Sequence, residues 1–252
     1  MPNPIVRVLS TLRRHEVSCL LMGGQACVYY GAAEFSRDTD VALLASADNV
    51  ARLEGAMKEL QAEVIAVPPL QLRHLERGHA VHFRCRHPEA DGMRLDVLSV
   101  MRGLPGFSIL WGRRTTALLD GEVVELMSLA DLVVAKKTQR DKDWPMIRRL
   151  VEANYVQFRD QPNAERVRFW LAEARTPALL REAARRFADS LETHLHARPF
   201  LRRLDVMTDD EIATELAAEE CRERRADATY WRPLRLELER MRHDRVPQCG
   251  HP

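Results

Sequence analysis

The residues best suited to chemistry lie near the N-terminus, as a glycine pair and an aspartate pair. Gly23 and Gly24 follow the apolar run Cys19–Met22, and glycines let a backbone turn tightly and approach a ligand closely. Asp38 and Asp40 are two residues apart, a spacing that places both carboxylates on the same face of a strand. Paired carboxylate oxygens suit a hard cation such as Mg²⁺, which also holds substrate phosphates. Together the two pairs indicate nucleotide chemistry.

A third acid, Asp96, lies inside the apolar run that includes Leu95. An acid in such a run is costly to bury unless it is paired or bound to a metal. Two interpretations are therefore open. Asp96 belongs to a carboxylate site with the aspartate pair, or it forms a buried salt bridge with Arg94 or Arg84.

Lysine is rare in this chain. Of 38 basic residues only four are lysines, and they are Lys58, Lys136, Lys137 and Lys142. The compact ammonium group of lysine acts as a point charge on a phosphate, whereas arginine presents a planar fork. On a helix, Lys136, Arg140 and Asp143 would share one face. This face is either a phosphate contact or a solvated helix end, where cations are favourable anyway.

The ordered set of motifs resembles the nucleotidyltransferase superfamily, in which a Gly-Gly or Gly-Ser turn precedes an Asp-x-Asp strand. Arg94–Leu98 is similar to the strand that carries the third carboxylate of that superfamily. The segment Asp131–Lys136, followed by Arg140–Asp143, is similar to a helical segment of one branch. That branch is related to abortive-infection toxins and small-molecule nucleotidyltransferases. The resemblance covers residues 15–150 or so.

The resemblance implies roles for these residues. Asp38, Asp40 and Asp96 would be the catalytic carboxylates and would hold one or two Mg²⁺ ions, with Mn²⁺ as the alternative. Such ions align an in-line displacement at the α-phosphorus of a nucleoside triphosphate. Asp96 would be either a metal ligand or the base that takes the proton of the attacking hydroxyl. The implied nucleotide-binding residues are Gly23, Gly24, Lys136, Arg140 and Lys142.

Hydrophobic periodicity predicts the elements that position these residues. Strands are expected over 18–23, 38–44, 79–86, 93–100, 115–119 and 122–126, and helices over 4–14, 24–30, 48–61 and 128–139. Asp120 and Gly121 predict a hairpin between the last two strands, and Ser128, three residues before Asp131, is predicted to cap the last of these helices. Beyond residue 140 the pattern is helical almost throughout, over 143–155, 163–174, 177–194, 209–224 and 229–243. The predicted fold is α+β, a nucleotidyltransferase-like mixed β-sheet flanked by helices and followed by a helical C-terminal domain. The predicted domains are a catalytic domain over 1–155 and a helical domain over 156–252.

Two further features of the sequence bear on binding. Arg37, beside Asp38, suits either an ion pair or a contact with a substrate phosphate. His79 and His82 are three residues apart on a probable strand, so they face opposite sides and form a poor chelating pair.

Composition restricts the class of protein. The formal net charge is +1, so the chain has no global attraction to nucleic acid. No apolar run approaches the roughly 20 residues of a membrane span, and the N-terminus lacks the apolar core of a signal peptide. The five cysteines are scattered without zinc spacing. We therefore expect a cytoplasmic protein with no membrane partner.

The leading hypothesis is an enzyme that moves a nucleoside monophosphate from a nucleoside triphosphate to an acceptor and releases pyrophosphate. A small molecule, a protein and a tRNA are the candidate acceptors. One alternative is a non-catalytic nucleotide-binding or interaction module. Another is the toxin component of a toxin–antitoxin pair, which would have an antitoxin partner.

Overall fold

The computed structural model describes residues 3–36 and 38–245. Arg37, for which two roles were open, lies outside the described residues. The strands are β1 (Cys19–Met22), β2 (Asp38–Leu43), β3 (Glu63–Val64), β4 (Val81–Arg84), β5 (Arg94–Leu98), β6 (Thr115–Leu119) and β7 (Glu122–Leu126). The helices are α1 (Pro4–Arg14), α2 (Gly23–Tyr29), α3 (Ala47–Glu59), α4 (Leu72–Arg77), α5 (Phe107–Gly112), α6 (Leu129–Lys136), α7 (Asp143–Phe158), α8 (Ala164–Glu173), α9 (Pro177–Arg186) and α10 (Asp209–Arg245).

The seven strands form one mixed sheet in the order β3-β4-β5-β2-β1-β7-β6. The pairs β2/β5 and β1/β7 are parallel, and the remaining neighbours are antiparallel. From α6 onward the described chain contains helices and short 3₁₀ turns but no strand. This confirms the predicted α+β class, in which a mixed sheet flanked by helices is followed by a helical C-terminal part.

The chain divides into two compact units. The first contains the described parts of 1–28, 35–135 and 229–252, and the second contains 29–34 and 136–228. The limits of these units differ from the predicted domain boundary at residue 155, because α7 belongs to the second unit and the last part of α10 belongs to the first. The assignment of functions to domains 1–155 and 156–252 stays a prediction. None of the helices in the described part of the chain has the length and apolar character needed to cross a bilayer.

One face of the sheet is covered by the main core of the first unit. Alternate residues of β2, β4 and β5 point into this core, and they are Val41, Leu43, Val81, Phe83, Leu95 and Val97. They pack with α1 and α3 through residues such as Leu12 and Leu53. Because successive strand residues point to opposite faces, the intervening positions of β2, β4 and β5 lie on the other face. Those positions carry the polar side chains of the candidate site.

Several local predictions are confirmed. The hairpin β6/β7 turns at Asp120 and Gly121, whose φ angles of 47° and 84° are left-handed, as a two-residue hairpin requires. The hydroxyl of Ser128 accepts from the backbone N–H of Asp131 at 3.2 Å and donates to its carboxylate at 2.7 Å. Ser128 therefore caps α6, as its spacing from Asp131 predicted.

The predicted end of the helix at Gln139 is wrong, because α6 ends at Lys136. The backbone N–H of Gln139 donates to Asp227 Oδ2 at 2.9 Å instead of to a helical carbonyl. The carbonyl of Thr138 accepts from Trp144 Nε1 at 2.8 Å. These contacts within the second unit give the backbone after Lys136 partners that a continuing helix would have to give up.

The predicted break between 224 and 229 is also wrong, because α10 runs unbroken from Asp209 to Arg245 with Pro233 inside it. This helix is rich in Ala, Glu, Arg and Leu, which are strong helix formers. The predicted helix over 177–194 is shorter than expected. Regular α-helix ends at Arg186, and 3₁₀ turns follow at Ala188–Ser190 and Glu192–His194.

Candidate functional site

The three predicted carboxylates are brought together by strand register. In the parallel pair β2/β5, Asp40 lies opposite Asp96 and Asp38 lies opposite Arg94. Opposite residues on neighbouring strands project from the same face, so all three acids share the face of the sheet that lies away from the main core. Asp38 is exposed, and Asp40 and Asp96 are half-buried.

The close contact with Asp40 requires glycine at position 23. The φ angle of Gly23 is +65°, and a Cβ placed on it would lie 2.5 Å from Asp40 Cγ and 2.7 Å from Asp40 Cβ. Real Cβ atoms do not approach so closely, and the left-handed conformation adds strain for any other residue. The start of α2 therefore packs directly against the carboxylate of Asp40.

Gly24 and Gln25 fix the loop that leads into β2. A Cβ on Gly24 would lie 2.8 Å from Ser36 Cβ. The side-chain amide of Gln25 donates to the carbonyl of Ser36 at 2.7 Å. The glycine pair thus lets α2 approach both Asp40 and the loop before Asp38. Sequence reasoning gave Gln25 no clear role, since its partner lies eleven residues away in a loop.

The carboxylate of Asp96 is held by an arginine and a histidine. The guanidinium of Arg94 forks its carboxylate with bonds of 2.8 Å and 3.0 Å, and His82 Nδ1 lies 2.8 Å from Oδ1. Burial would raise the pKa of Asp96, but the hydrogen bonds from His82 and Arg94 outweigh it and the pKa is lowered. The salt bridge with Arg94 that the sequence left open is therefore present.

The charges of the site act on one another. The hydrogen bond to Asp96 raises the pKa of Arg94, and the charges of Asp38 and Asp40 act in the same direction. Arg94 is thus the shared counter-charge of the three acids. This effect follows from register, because Arg94 lies directly opposite Asp38 and two residues before Asp96.

His82 is the site residue that sequence reasoning missed. It lies opposite Asp96 in the antiparallel pair β4/β5. The available signal was the alternation of β4, which places His82 and Arg84 on one face and Val81 and Phe83 on the other. Its neighbour His79 lies before β4 and pairs with Glu237 Oε2 at 2.8 Å.

Asp38 and Asp40 fit a hard divalent cation by donor type and by sharing one face. Asp96 has both carboxylate oxygens in hydrogen bonds to Arg94 and His82. Within residues 3–36 and 38–245, no three His, Cys, Asp or Glu side chains are grouped so that they could hold a metal ion. The donor set therefore supports Asp38 and Asp40 as carboxylate ligands, whereas Oδ1 of Asp96 already accepts two hydrogen bonds and Oδ2 accepts one.

The predicted phosphate contacts Lys136, Arg140 and Lys142 lie in the second unit. The sequence suggested that Lys136 and Arg140 share one helix face. They do not, because the segment between α6 and α7 is not helical. Their side chains converge on the buried Asp143, from Lys136 Nζ at 3.3 Å and from Arg140 Nε at 2.8 Å. Lys142 is exposed immediately before α7.

Asp143 is the centre of this second cluster. Thr138 Oγ1 also donates to its carboxylate, at 2.6 Å. Burial would raise the pKa of Asp143, but the charge of Lys136, the hydrogen bond from Thr138 and the charge of Arg140 outweigh it and lower the pKa. The cluster ties the end of α6 to the start of α7, and a phosphate role for its cations stays a prediction.

No protein-family model and no curated protein sequence matches the chain. Among solved structures it is similar to the antibiotic-resistance factor ANT(2'')-Ia, at 15% identity and a TM-score of 0.41, covering 77% of this chain and 96% of that one. It is also similar to an antigenic nucleotidyltransferase-like protein from Paracoccidioides brasiliensis, at 16% identity and a TM-score of 0.43, covering 80% of this chain and 90% of that one.

Proposed function

We propose that this protein is a metal-dependent nucleotidyltransferase that moves a nucleoside monophosphate from a nucleoside triphosphate to an acceptor. The observation that carries the proposal is the β2/β5 register, which places Asp38, Asp40 and Asp96 on one face. The packing of Gly23 against Asp40 adds support, because it brings backbone to within contact distance of a proposed metal ligand.

The reaction is an in-line displacement. An acceptor hydroxyl oxygen forms a bond to the α-phosphorus, the bond from that phosphorus to the bridging oxygen of pyrophosphate breaks, and the hydroxyl proton leaves to a base. Asp38 and Asp40 would hold Mg²⁺ or Mn²⁺. When bound, such an ion neutralises charge on the phosphates. For Asp96 the proposal keeps both roles that the resemblance implies, metal ligand or base. Among the described residues Oδ2 accepts one hydrogen bond, from Arg94 Nη2, so a lone pair of this oxygen remains for either role.

The proposed nucleotide contacts fall into two groups. Gly23 and Gly24 would offer backbone to the phosphates beside Asp40. Lys142 is exposed and has a charge suited to a phosphate, whereas Lys136 and Arg140 would contact one while they share their charge with Asp143. Lysine suits this role because its ammonium acts as a point charge that needs no planar match.

Label transfer tests this function. Purified protein is incubated with each α-labelled nucleoside triphosphate, Mg²⁺, total cell RNA and cell extract, and the products are separated by size. We expect label on one acceptor class, and a loss of at least about 100-fold in Asp40→Asn because the metal supplies several kcal/mol of charge stabilisation. The matched control is Asp91→Asn, at an exposed acid of the same unit, which should keep full activity. Equal labelling by Asp40→Asn and wild type would contradict the proposal.

One observation favours the alternative of a non-catalytic nucleotide-binding module. Both oxygens of Asp96 are engaged by Arg94 and His82, so the third carboxylate has protein partners already. This alternative predicts Mg²⁺-dependent nucleotide binding by calorimetry without label transfer to any acceptor.

A further inference from the structure

Two arginines lie directly opposite each other on the face that carries the three acids. In the antiparallel pair β4/β5, the register places Arg84 opposite Arg94. Like charges at directly opposite positions of a sheet destabilise it. A cross-strand arginine pair next to a proposed active site therefore calls for an anion that offsets the repulsion.

The protein itself offsets only one of these two charges. Arg94 is forked by Asp96, through Nε and Nη2. Arg84 is exposed, and its side chain has no hydrogen-bond or ion-pair partner among the described residues. On its other side Glu63 lies opposite in register, but the nearest cation to that carboxylate is Arg86, at 3.5 Å. The charge of Arg84 is therefore left for a ligand.

The chemistry of the pair specifies the kind of ligand. A guanidinium group presents planar N–H donors that match the oxygens of a phosphate, and the uncompensated charge of Arg84 favours an anion. Asp96 holds the guanidinium of Arg94 in place through Nε and Nη2, so less conformational entropy is lost when its Nη1 donates to a phosphate.

The order of the strands indicates which substrate contains that phosphate. Arg84 and Arg94 lie on β4 and β5, and Gly23 lies beside Asp40 on the opposite flank, at the end of β1. In phosphoryl transfer the attacking and leaving oxygens are roughly in line, so they lie on opposite sides of the phosphorus. If the pyrophosphate leaves on the glycine flank, the acceptor enters on the flank of the two arginines.

We propose that Arg84 and Arg94 bind a phosphate group of the acceptor, close to its attacking hydroxyl. The acceptor is then anionic, and the source of the phosphate is either a phosphorylated small molecule or the backbone of an RNA end. The charge of Arg84, which no described side chain offsets, favours a phosphate over a neutral or cationic group at this position on β4. This inference rests on the proposed nucleotidyl transfer and names the acceptor class for that same site.

Binding of two phosphate probes to the full chain tests the inference. One probe is a fluorescein-labelled single-stranded RNA of ten nucleotides, followed by anisotropy, and the other is ribose 5-phosphate as a competitor, with ribose as the neutral comparison. The variant is Arg84→Gln, since the side chain of Arg84 has no protein partner to lose among the described residues. The matched control is Arg73→Gln, at an exposed arginine on α4 in the same unit. The affinity for each nucleoside triphosphate with Mg²⁺ is measured alongside by calorimetry.

We expect wild type to bind the RNA, and ribose 5-phosphate but not ribose to compete. Arg84→Gln should weaken probe binding about tenfold, as loss of a charge-assisted bond predicts, and should lower the salt slope of RNA binding by about one. Arg73→Gln should behave as wild type, and nucleotide affinity should stay within about twofold in both variants. The tighter probe identifies the source of the phosphate.

Equal probe affinity in Arg84→Gln and wild type would overturn the inference, and so would a wild type that binds neither probe. A loss of nucleotide affinity in Arg84→Gln would also overturn it, because the pair would then serve the triphosphate. Failure of the proposed function is a separate result, namely wild-type protein that binds no nucleoside triphosphate in the presence of Mg²⁺.

Discussion

At the scale of single residues, Gly23 has two reasons to be glycine, and they can be separated. Its φ angle is left-handed, and a Cβ would also collide with the side chain of Asp40. Gly92 has a similar φ of +74° but open space around its Cα. The two positions therefore impose the same conformational strain, and only Gly23 adds the contact with a proposed metal ligand.

We expect Gly23→Ala to lower the free energy of unfolding more than Gly92→Ala does. Both variants should lose about 1–2 kcal/mol of unfolding free energy because alanine is strained in the left-handed conformation. Overpacking against Asp40 should add a loss of about 1–3 kcal/mol at Gly23. Urea unfolding followed by circular dichroism measures the difference, and label transfer should fall only in Gly23→Ala. Equal destabilisation in the two variants would show that the contact with Asp40 is not tight.

Residues of the site differ in how far the sequence predicts them. The Asp38 and Asp40 pair and the cap at Ser128 follow from local spacing, so they could be predicted. The fork from Arg94 and the contact from His82 depend on the register between β4, β5 and β2, which no local pattern contains. The sequence allowed a salt bridge between Arg94 and Asp96 and could not choose it over a metal site, because both satisfy a buried acid equally.

At the scale of elements, Asp143 joins two helices that the sequence treats separately. Its side chain is 2% exposed and accepts from Lys136, Thr138 and Arg140. Nearby Asp141, by contrast, is 99% exposed although it pairs with Arg224 at 2.7 Å. Removing one partner of a buried ion pair destabilises a protein far more than removing one partner of an exposed pair, because it leaves a buried charge without compensation.

We expect Asp143→Asn to lower the free energy of unfolding by about 3 kcal/mol, the low end for removing one partner of a buried pair. Asp141→Asn should change it by less than about 1 kcal/mol. Urea unfolding at pH 7 measures both values. Similar small effects at the two positions would mean that the Asp143 cluster contributes little to the junction of α6 and α7.

The comparison of Asp143→Asn with wild type also makes a prediction about pH. The pKa of Asp143 is lowered in the folded state, so its contribution is fully present above the unfolded pKa of about 3.9 and is lost as the pH falls through the folded value. Wild-type stability should therefore decline below about pH 4, and the decline should be shallower in Asp143→Asn. A parallel decline in the two proteins, measured by urea unfolding at a series of pH values, would contradict this assignment.

At the scale of the whole molecule, the C-terminal part of α10 belongs to the first compact unit together with the N-terminal strands. Glu237 lies 2.8 Å from the buried ring of His79, a partner 158 positions earlier in the chain. The sequence suggested a separate helical domain from residue 156 because helical periodicity is a local signal. It contains no information on which unit a helix joins, and that choice depends on contacts between distant segments.

The packing of this last segment can be tested with two leucines on the same helix. Leu234 is 3% exposed and Leu236 is 48% exposed, so the two differ in burial but not in helix propensity. Because α10 continues to residue 245 as part of the first unit, Leu234 should belong to the core of that unit. We expect Leu234→Ala to lower the free energy of unfolding by about 2–4 kcal/mol, and Leu236→Ala to lower it by less than about 1 kcal/mol. Urea unfolding with a probe on the first unit measures both, and equal effects would mean that the last part of α10 is not held in the core.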